Sequence, residues 1–278
     1  MLDWTVPGYR AVRELRRGTS ATGLGERTVL GTHLATGLPV LLRHLDGTLP
    51  EADLDARRAD ARLLAAVRDA HVAHLYEWVE TDLGVALVRQ YVPGASVRSV
   101  LRGSRLAPAA GLVTLRAGLL GLAAAHEQGL AHRGYKPENL LVDAEGTVRL
   151  ADFAASRPPH SPVDPSATAT PDGPATTAGG EPAPPARRDG FDDERARDVR
   201  AAFATFVAAV TGGDNPDKLP RKLRGLAGAA AALDGAALLA ALEPAARAAI
   251  GADWHQRGAR ELASLVAKAQ PTSRKGQR

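Results

Sequence analysis

Short apolar runs separated by glycine and proline fill the first ninety or so residues of the 278-residue chain. Runs of valine and leucine bounded by turn residues predict β-strands. The predicted strands lie around Val12 and Leu15, at 28–30, at 40–42, at 71–79 and at 85–91. Residues 50–68 predict one helix, because Asp60, Leu64 and Val67 recur on one helical face and Pro50 suits a first turn.

Beyond residue 93 the apolar spacing becomes mostly helical. A leucine stripe predicts a long core helix over 108–128, with Pro108 at its start and Gly129 after its end. One further strand and three further helices are expected at 147–151, 193–211, about 219–243 and 244–269. A β-rich part followed by a helical part predicts an α+β fold.

The segment 155–190 contains many proline, alanine, threonine, serine and glycine residues and almost no large apolar ones. Such a composition cannot bury enough surface to offset its ordering entropy, so we expect a mobile segment. It could be a plain linker or a site of phosphorylation. Its hydroxyl side chains include Ser161, Ser166, Thr168, Thr170, Thr176 and Thr177.

Composition excludes some chemistry. The chain has no cysteine, which rules out disulfides and thiolate metal sites, and its eight histidines form no H-E-x-x-H motif.

No apolar run approaches the roughly 18–20 residues that span a bilayer, and Met1–Trp4 does not resemble a signal peptide. We therefore expect a cytoplasmic protein. The net charge is only +4 and the basic tail at 270–278 carries no nucleic-acid motif, so no nucleic-acid partner is predicted.

The most informative stretch is His132–Leu141, which reads H-R-G-Y-K-P-E-N-L-L and is followed by D-F-A at 152–154. It resembles the catalytic loop and metal-binding turn of the protein kinase family, written H-R-D-x-K-P-x-N and D-F-G. The resemblance runs from about Tyr9 to Leu265 and is strongest at 126–153 and 193–211. It implies a two-lobed fold, with an N-lobe at 1–92, a C-lobe at 93–269 and a polar tail at 270–278. Within the C-lobe the segment 155–190 occupies the position of the activation loop, and Arg133 could receive a phosphate from it.

The resemblance also assigns roles in this stretch. Lys136 would touch the transferred phosphate, and Asn139 and Asp152 would hold Mg²⁺ through oxygen ligands. The Asp that would act as the base is replaced by Gly134, and the Gly of D-F-G by Ala154. Neighbouring carboxylates, Glu138 and Asp143, could replace the base, although their positions do not match its role.

Further matches concern the nucleotide. Gly18-x-Ser20-x-x-Gly23 resembles the glycine-rich loop over the phosphates, with Ser20 replacing the middle glycine; an ordinary β-turn is the alternative. Residues 36–43 resemble the third strand, in which Arg43 replaces the phosphate-pairing Lys. Leu41 replaces a small Ala there, and would either fill nucleotide space or simply belong to the core.

Asp60 occupies the place of the helix Glu that pairs with that Lys. We therefore expect an Arg43–Asp60 salt bridge, the alternative being that Asp60 is a solvated helix residue. Gln90, Tyr91 and Val92 match the hinge that offers backbone groups to adenine, and Arg89 the gatekeeper, which is usually apolar.

Three other positions concern the frame of the fold. Asp198 matches a family Asp that braces the catalytic loop. Arg257 matches an Arg whose partner in the family is the Glu of A-P-E, but Pro185 stands in place of that Glu.

The framework matches while the chemistry-bearing positions change. This split predicts a catalytically impaired, pseudokinase-like domain that acts as a regulatory or scaffolding partner of another protein. The alternatives are a weakly active Ser/Thr kinase and an ATP-binding sensor without phosphoryl transfer. ATP and Mg²⁺ are expected ligands only in these alternatives, and the sequence leaves the oligomeric state open.

Overall fold

The computed structural model describes residues 5–19, 25–47, 51–102, 104–153 and 190–269. The first lobe is a five-stranded antiparallel sheet in the order β1-β2-β3-β5-β4, with one helix. Its elements are β1 (Tyr9–Thr19), β2 (Gly25–His33), β3 (Pro39–Asp46), α1 (Glu51–Ala66), β4 (Leu75–Thr81) and β5 (Gly84–Gln90). The predicted strands and helix are thus present. The strand predicted at 71–79 starts later, because Val72 forms only an isolated parallel bridge with Leu150.

The central strand β3 has two different faces, since successive strand side chains point to opposite sides. Val40 and Leu42 pack with Val29 and Val88 in a small apolar core. The opposite face carries Leu41, Arg43 and Leu45, and β5 adds Leu87 and Arg89 at matching positions of the ladder. On this side residues of α1 and Phe153 line a small cavity together with Arg43, Leu45 and Leu87. Two arginines are therefore directed towards the cleft between the lobes.

The second lobe is built around α3 (Pro108–Glu127), which contacts α4, α6, α7 and β8. Its elements are β6 (Gly94–Ser96), α2 (Val97–Val100), α3, β7 (Leu140–Asp143), β8 (Val148–Leu150), α4 (Phe191–Thr211), α5 (Leu226–Ala231), α6 (Gly235–Ala249) and α7 (Trp254–Ala269). Strands β6, β7 and β8 form a second small sheet. The two-lobed α+β fold is confirmed.

By length and composition alone, α3 is long and apolar enough to cross a membrane. Its alanines, glycines and leucines give it a high mean hydropathy, and 72% of the apolar window is buried inside the fold. The predicted core stripe, with Leu112, Leu115, Leu119 and Leu122, is buried. We therefore interpret α3 as the central core helix.

The predicted boundary between residues 243 and 244 is wrong. Helix α6 continues through Pro244 to Ala249, although proline cannot donate a backbone hydrogen bond within a helix. The apolar face made by Leu238, Leu242 and Ala246 is buried in the core and favours a continuous helix. The break comes instead at Gly251, whose φ of +121° is one that glycine adopts without strain.

Candidate active site

A side chain of α4 holds the loop from His132 to Asn139 through hydrogen bonds to the loop backbone. The Asp198 carboxylate accepts the backbone N–H groups of His132 at 2.7 Å and Arg133 at 2.9 Å. His126 Nε2 lies 3.0 Å from the same carboxylate. Arg133 has a φ of +58°, a left-handed conformation that costs energy for a non-glycine residue. The predicted bracing role of Asp198 is confirmed, and these bonds fix the strained backbone.

His132 is a structural side chain. Its Nε2 donates to the Ala151 carbonyl at 2.9 Å, and its Nδ1 accepts the Gly134 N–H at 3.1 Å. The two partners fix one neutral tautomer, since one is only an acceptor and the other only a donor. The ring also packs against Phe153, and burial lowers the pKa of His132. The imidazole therefore connects the loop to the residues that precede Phe153.

The loop carries few side chains for chemistry. Gly134 has none, and its carbonyl accepts a hydrogen bond from Asn139 Nδ2 at 3.0 Å. Asn139 is buried in the 3₁₀ turn Pro137–Asn139 that leads into β7, whereas Lys136 is exposed. Glu138 faces Arg98 of α2, with 3.7 Å between Oε1 and Nε. The position of the family's base therefore holds no carboxylate.

Asp152 lies between two guanidinium groups. Its Oδ1 is 3.3 Å from Arg89 Nε and 3.8 Å from Arg43 Nη1. Burial alone would raise the pKa of this carboxyl, but Arg89 and Arg43 lower it below its ordinary value. Asp152 also has a left-handed φ of +61°. The carboxylate is thus ionised and already neutralised by side chains of the first lobe.

The predicted Arg43–Asp60 salt bridge is wrong. Arg43 binds Glu26 of β2 in bidentate fashion, at 2.9 and 3.0 Å, while Asp60 accepts from Arg133 Nη1 at 2.8 Å. Burial lowers the pKa of Arg43, but Asp152 and Glu26 raise it by more. The strand register explains the exchange, because Glu26 pairs with Leu45 and so lies diagonally beside Arg43 on the same face.

Arg89 reaches the predicted adenine-binding hinge. It lies opposite the buried Leu41 in the β3–β5 ladder, and its Nη1 donates to the Gln90 carbonyl at 3.4 Å. The Gln90 N–H donates to the His74 carbonyl at 2.8 Å. Val92 is buried. Both backbone groups of Gln90 are therefore engaged inside the protein.

Other predicted positions are placed only in part. Gly18 pairs with Glu26 in the β1–β2 ladder, and Arg257 Nη1 donates to the Ile250 carbonyl at 3.3 Å. The remaining positions fall outside the described residues. They are Ser20, Gly23, Ala154, Pro185, most of the segment 155–190 and the tail 270–278.

Sequence reasoning missed two carboxylates that organise the site, Glu26 and Glu194. Glu194 lies 2.9 Å from Arg133, between Oε1 and Nε. A register counted back from the turn at 34–38 would have placed Glu26 beside Arg43. No local signal could have found Glu194, because it is 61 positions from its partner and is brought there only by the folding of α4 onto the loop.

Comparisons with known proteins agree with this geometry. The family model described as protein kinase domain matches residues 30–172. Serine/threonine-protein kinase PknL of Mycobacterium tuberculosis is 34% identical over 149 residues, 52% of this chain and 37% of its own length. Maternal embryonic leucine zipper kinase of Xenopus laevis is 31% identical over 147 residues, 52% of this chain and 23% of its own length. This chain therefore spans well under half the length of the curated relatives it matches.

A solved structure resembles almost the whole chain. It is the PknI kinase domain of Mycobacterium tuberculosis, with a TM-score of 0.59 and 20% identity, and the match covers 96% of this chain and 98% of that one. At this identity the likeness shows the fold alone. The family itself is shown by the sequence match, which extends from β2 past the loop and Asp152. The chain belongs to the protein kinase family.

Proposed function

We propose that this domain is catalytically impaired and acts as a regulatory or scaffolding partner of another protein. The observation that carries the proposal is the pairing of Asp152 with Arg89 and Arg43. In kinases the corresponding carboxylate holds Mg²⁺ against the nucleotide phosphates. Here a metal ion would have to displace two guanidinium groups that are held in the first-lobe sheet.

The residues present do not fit Mg²⁺ and ATP. The Asn139 amide nitrogen donates to the Gly134 carbonyl, which leaves its oxygen for a metal, but Arg89 and Arg43 hold the Asp152 carboxylate and Arg89 also binds the Gln90 carbonyl in the hinge. We therefore derive no phosphoryl-transfer step at this site.

The lost base supports the same conclusion. General-base catalysis typically contributes about 10²–10⁴-fold to a rate. Glu138 faces Arg98, and Asp143 accepts the Thr147 N–H at 2.8 Å and Arg149 Nη1 at 2.7 Å. Neither neighbouring carboxylate is directed at the position of Gly134, so the nearest substitutes for the base have structural roles.

The second candidate is a weakly active Ser/Thr kinase. It is favoured by the relatives, which are named as kinases, and by the exposed Lys136 beside an intact loop braced by Asp198. An ATP sensor without transfer is the third candidate. In all three, a protein partner and a cytoplasmic location stay predictions.

One paired assay separates the candidates. Thermal unfolding would be measured with and without ATP and Mg²⁺, and radiolabelled phosphate transfer to the chain itself and to a general protein substrate would be followed in parallel. We expect a change in Tm of less than about 1 °C and no transfer, because the site offers ATP no differential affinity. A shift without transfer would favour the sensor. Transfer that is lost in Asp152→Ala would contradict the proposal.

A further inference from the structure

Arg133 lies where the two lobes meet, and it binds a carboxylate from each. Its Nη1 donates to Asp60 Oδ2 of α1 at 2.8 Å, and its Nε lies 2.9 Å from Glu194 Oε1 of α4. Its backbone N–H is held by Asp198. One side chain of the loop therefore connects the only long helix described in the first lobe with a central helix of the second.

The pair inside this bridge is well shielded from water. The Asp60 side chain is 1% exposed and that of Arg133 is 11% exposed, whereas Glu194 is 29% exposed. Removing one partner of a buried ion pair is strongly destabilising, because the other charge is left uncompensated. Although burial lowers the pKa of Arg133, Glu194 and Asp60 raise it by more. The guanidinium is thus charged, and a carboxylate from each lobe lies beside it.

Arg43, the cation of the first-lobe sheet that was predicted to pair with α1, does not hold this helix. Arg43 is committed to Glu26 and Asp152. On the other side of α1, Arg58 bridges to Glu80 of β4 at 2.9 Å, but the Glu80 side chain is 42% exposed, and exposed pairs contribute little. The buried ion pair that attaches α1 is therefore made with Arg133, a residue of the second lobe.

We propose that Asp60, Arg133 and Glu194 form a constitutive inter-lobe latch that fixes α1 over the loop without any phosphate. A carboxylate already lies on each side of the guanidinium that a phosphate group from 155–190 would approach, since Asp60 accepts from Nη1 and Glu194 Oε1 lies 2.9 Å from Nε. The position of α1 is then independent of modification of that segment. The latch does not rest on the proposed function, because it holds whether or not the site transfers phosphate.

Hydrogen exchange of the α1 amides in the full chain tests the latch. Asp60→Asn should accelerate exchange of residues 54–66 by about tenfold or more, because Arg133 loses its buried counter-charge. Asp55→Asn is the matched control, since Asp55 lies on the same helix, is exposed and pairs with Arg58 of that helix. It should change exchange less than about twofold. Equal exchange in Asp60→Asn and wild type would overturn the proposal.

A second variant changes the partly exposed Glu194 instead of the buried Asp60. Glu194→Gln should accelerate α1 exchange by about threefold, because it loosens Arg133 although Glu194 lies on another helix. Its control, Asp193→Asn, alters an exposed neighbour on α4 and should leave α1 unchanged. An α1 helix that is insensitive to Glu194→Gln would contradict a latch built on both carboxylates, even if Asp60→Asn fails to fold.

Acidic substitutions test the independence from phosphate. Thr168→Glu and Thr170→Glu, made together in the otherwise unchanged chain, should leave α1 exchange within about twofold of wild type. A tenfold slowing would show that Arg133 still accepts an anion from this segment. That result would overturn the latch as a constitutive device.

Discussion

Arg89 alters the cleft more directly than the loss of the catalytic-loop Asp. It brings a guanidinium group, with a side chain only 11% exposed, to within 3.3 Å of Asp152. Burial lowers the pKa of Arg89, and Asp152 opposes this shift. The two charges thus depend on each other for stability. In this chain Asp152 has become part of a structural ion pair, and its substitution should be felt in folding.

Asp152→Asn is therefore expected to destabilise the protein by about 3 kcal/mol, since it leaves Arg89 and Arg43 without their shared counter-charge. Chemical denaturation measures the loss in the free energy of unfolding. The double variant Asp152→Asn with Arg89→Met should regain much of it, because a buried apolar side chain replaces the uncompensated cation. The exposed control Asp214→Asn should change stability by less than about 0.5 kcal/mol. Additive effects in the double variant would contradict the coupling.

At the scale of single elements, the sequence predicted strands and helices where the apolar period is long and regular. The stripe of α3 is an example, since it follows from side-chain geometry alone. The boundary of α6 was missed because Pro244 is a strong local signal that tertiary burial overrides. The partner of Arg43 was missed because it depends on strand register, which residue types alone do not specify.

Close helix packing gives a prediction at this scale. A Cβ at Gly258 of α7 would lie 2.5 Å from the Ala109 carbonyl oxygen, so Gly258→Ala must separate α7 from α3. We expect it to lower the free energy of unfolding by about 1–3 kcal/mol. Gly228→Ala in α5 is the matched control, since a Cβ there meets nothing within 4 Å. It should stabilise by about 0.4–1 kcal/mol, because alanine restricts the unfolded chain. Equal effects of the two variants in a denaturation series would contradict this packing.

At the scale of the molecule, family membership could be predicted because its strongest signals are local. His132, Asn139 and Asp152 lie within about twenty residues of one another. The inter-lobe contacts could not be predicted, because Asp60 and Arg133 are 73 positions apart and meet only when the lobes close. The framework of the loop and the chemistry of the cleft depend on different residues. Asp198 of the second lobe braces the loop, while Arg43 and Arg89 of the first lobe lie beside Asp152 in the cleft.

This separation predicts which changes restore nucleotide binding. Arg89→Met, Arg43→Lys and Leu41→Ala together free Asp152 and the Gln90 carbonyl and remove bulk from β3, whereas the bracing by Asp198 is untouched. With ATP and Mg²⁺ in excess, a ligand that binds only the folded state stabilises it by about 2.7 kcal/mol at one hundred times Kd. We therefore expect Tm to rise by about 3 °C or more in the triple variant.

Gly134→Asp alone should show no shift in Tm, because it leaves both arginines on Asp152 and leaves Leu41 in place. A shift in Gly134→Asp, or none in a folded triple variant, would mean that the arginines do not block the site.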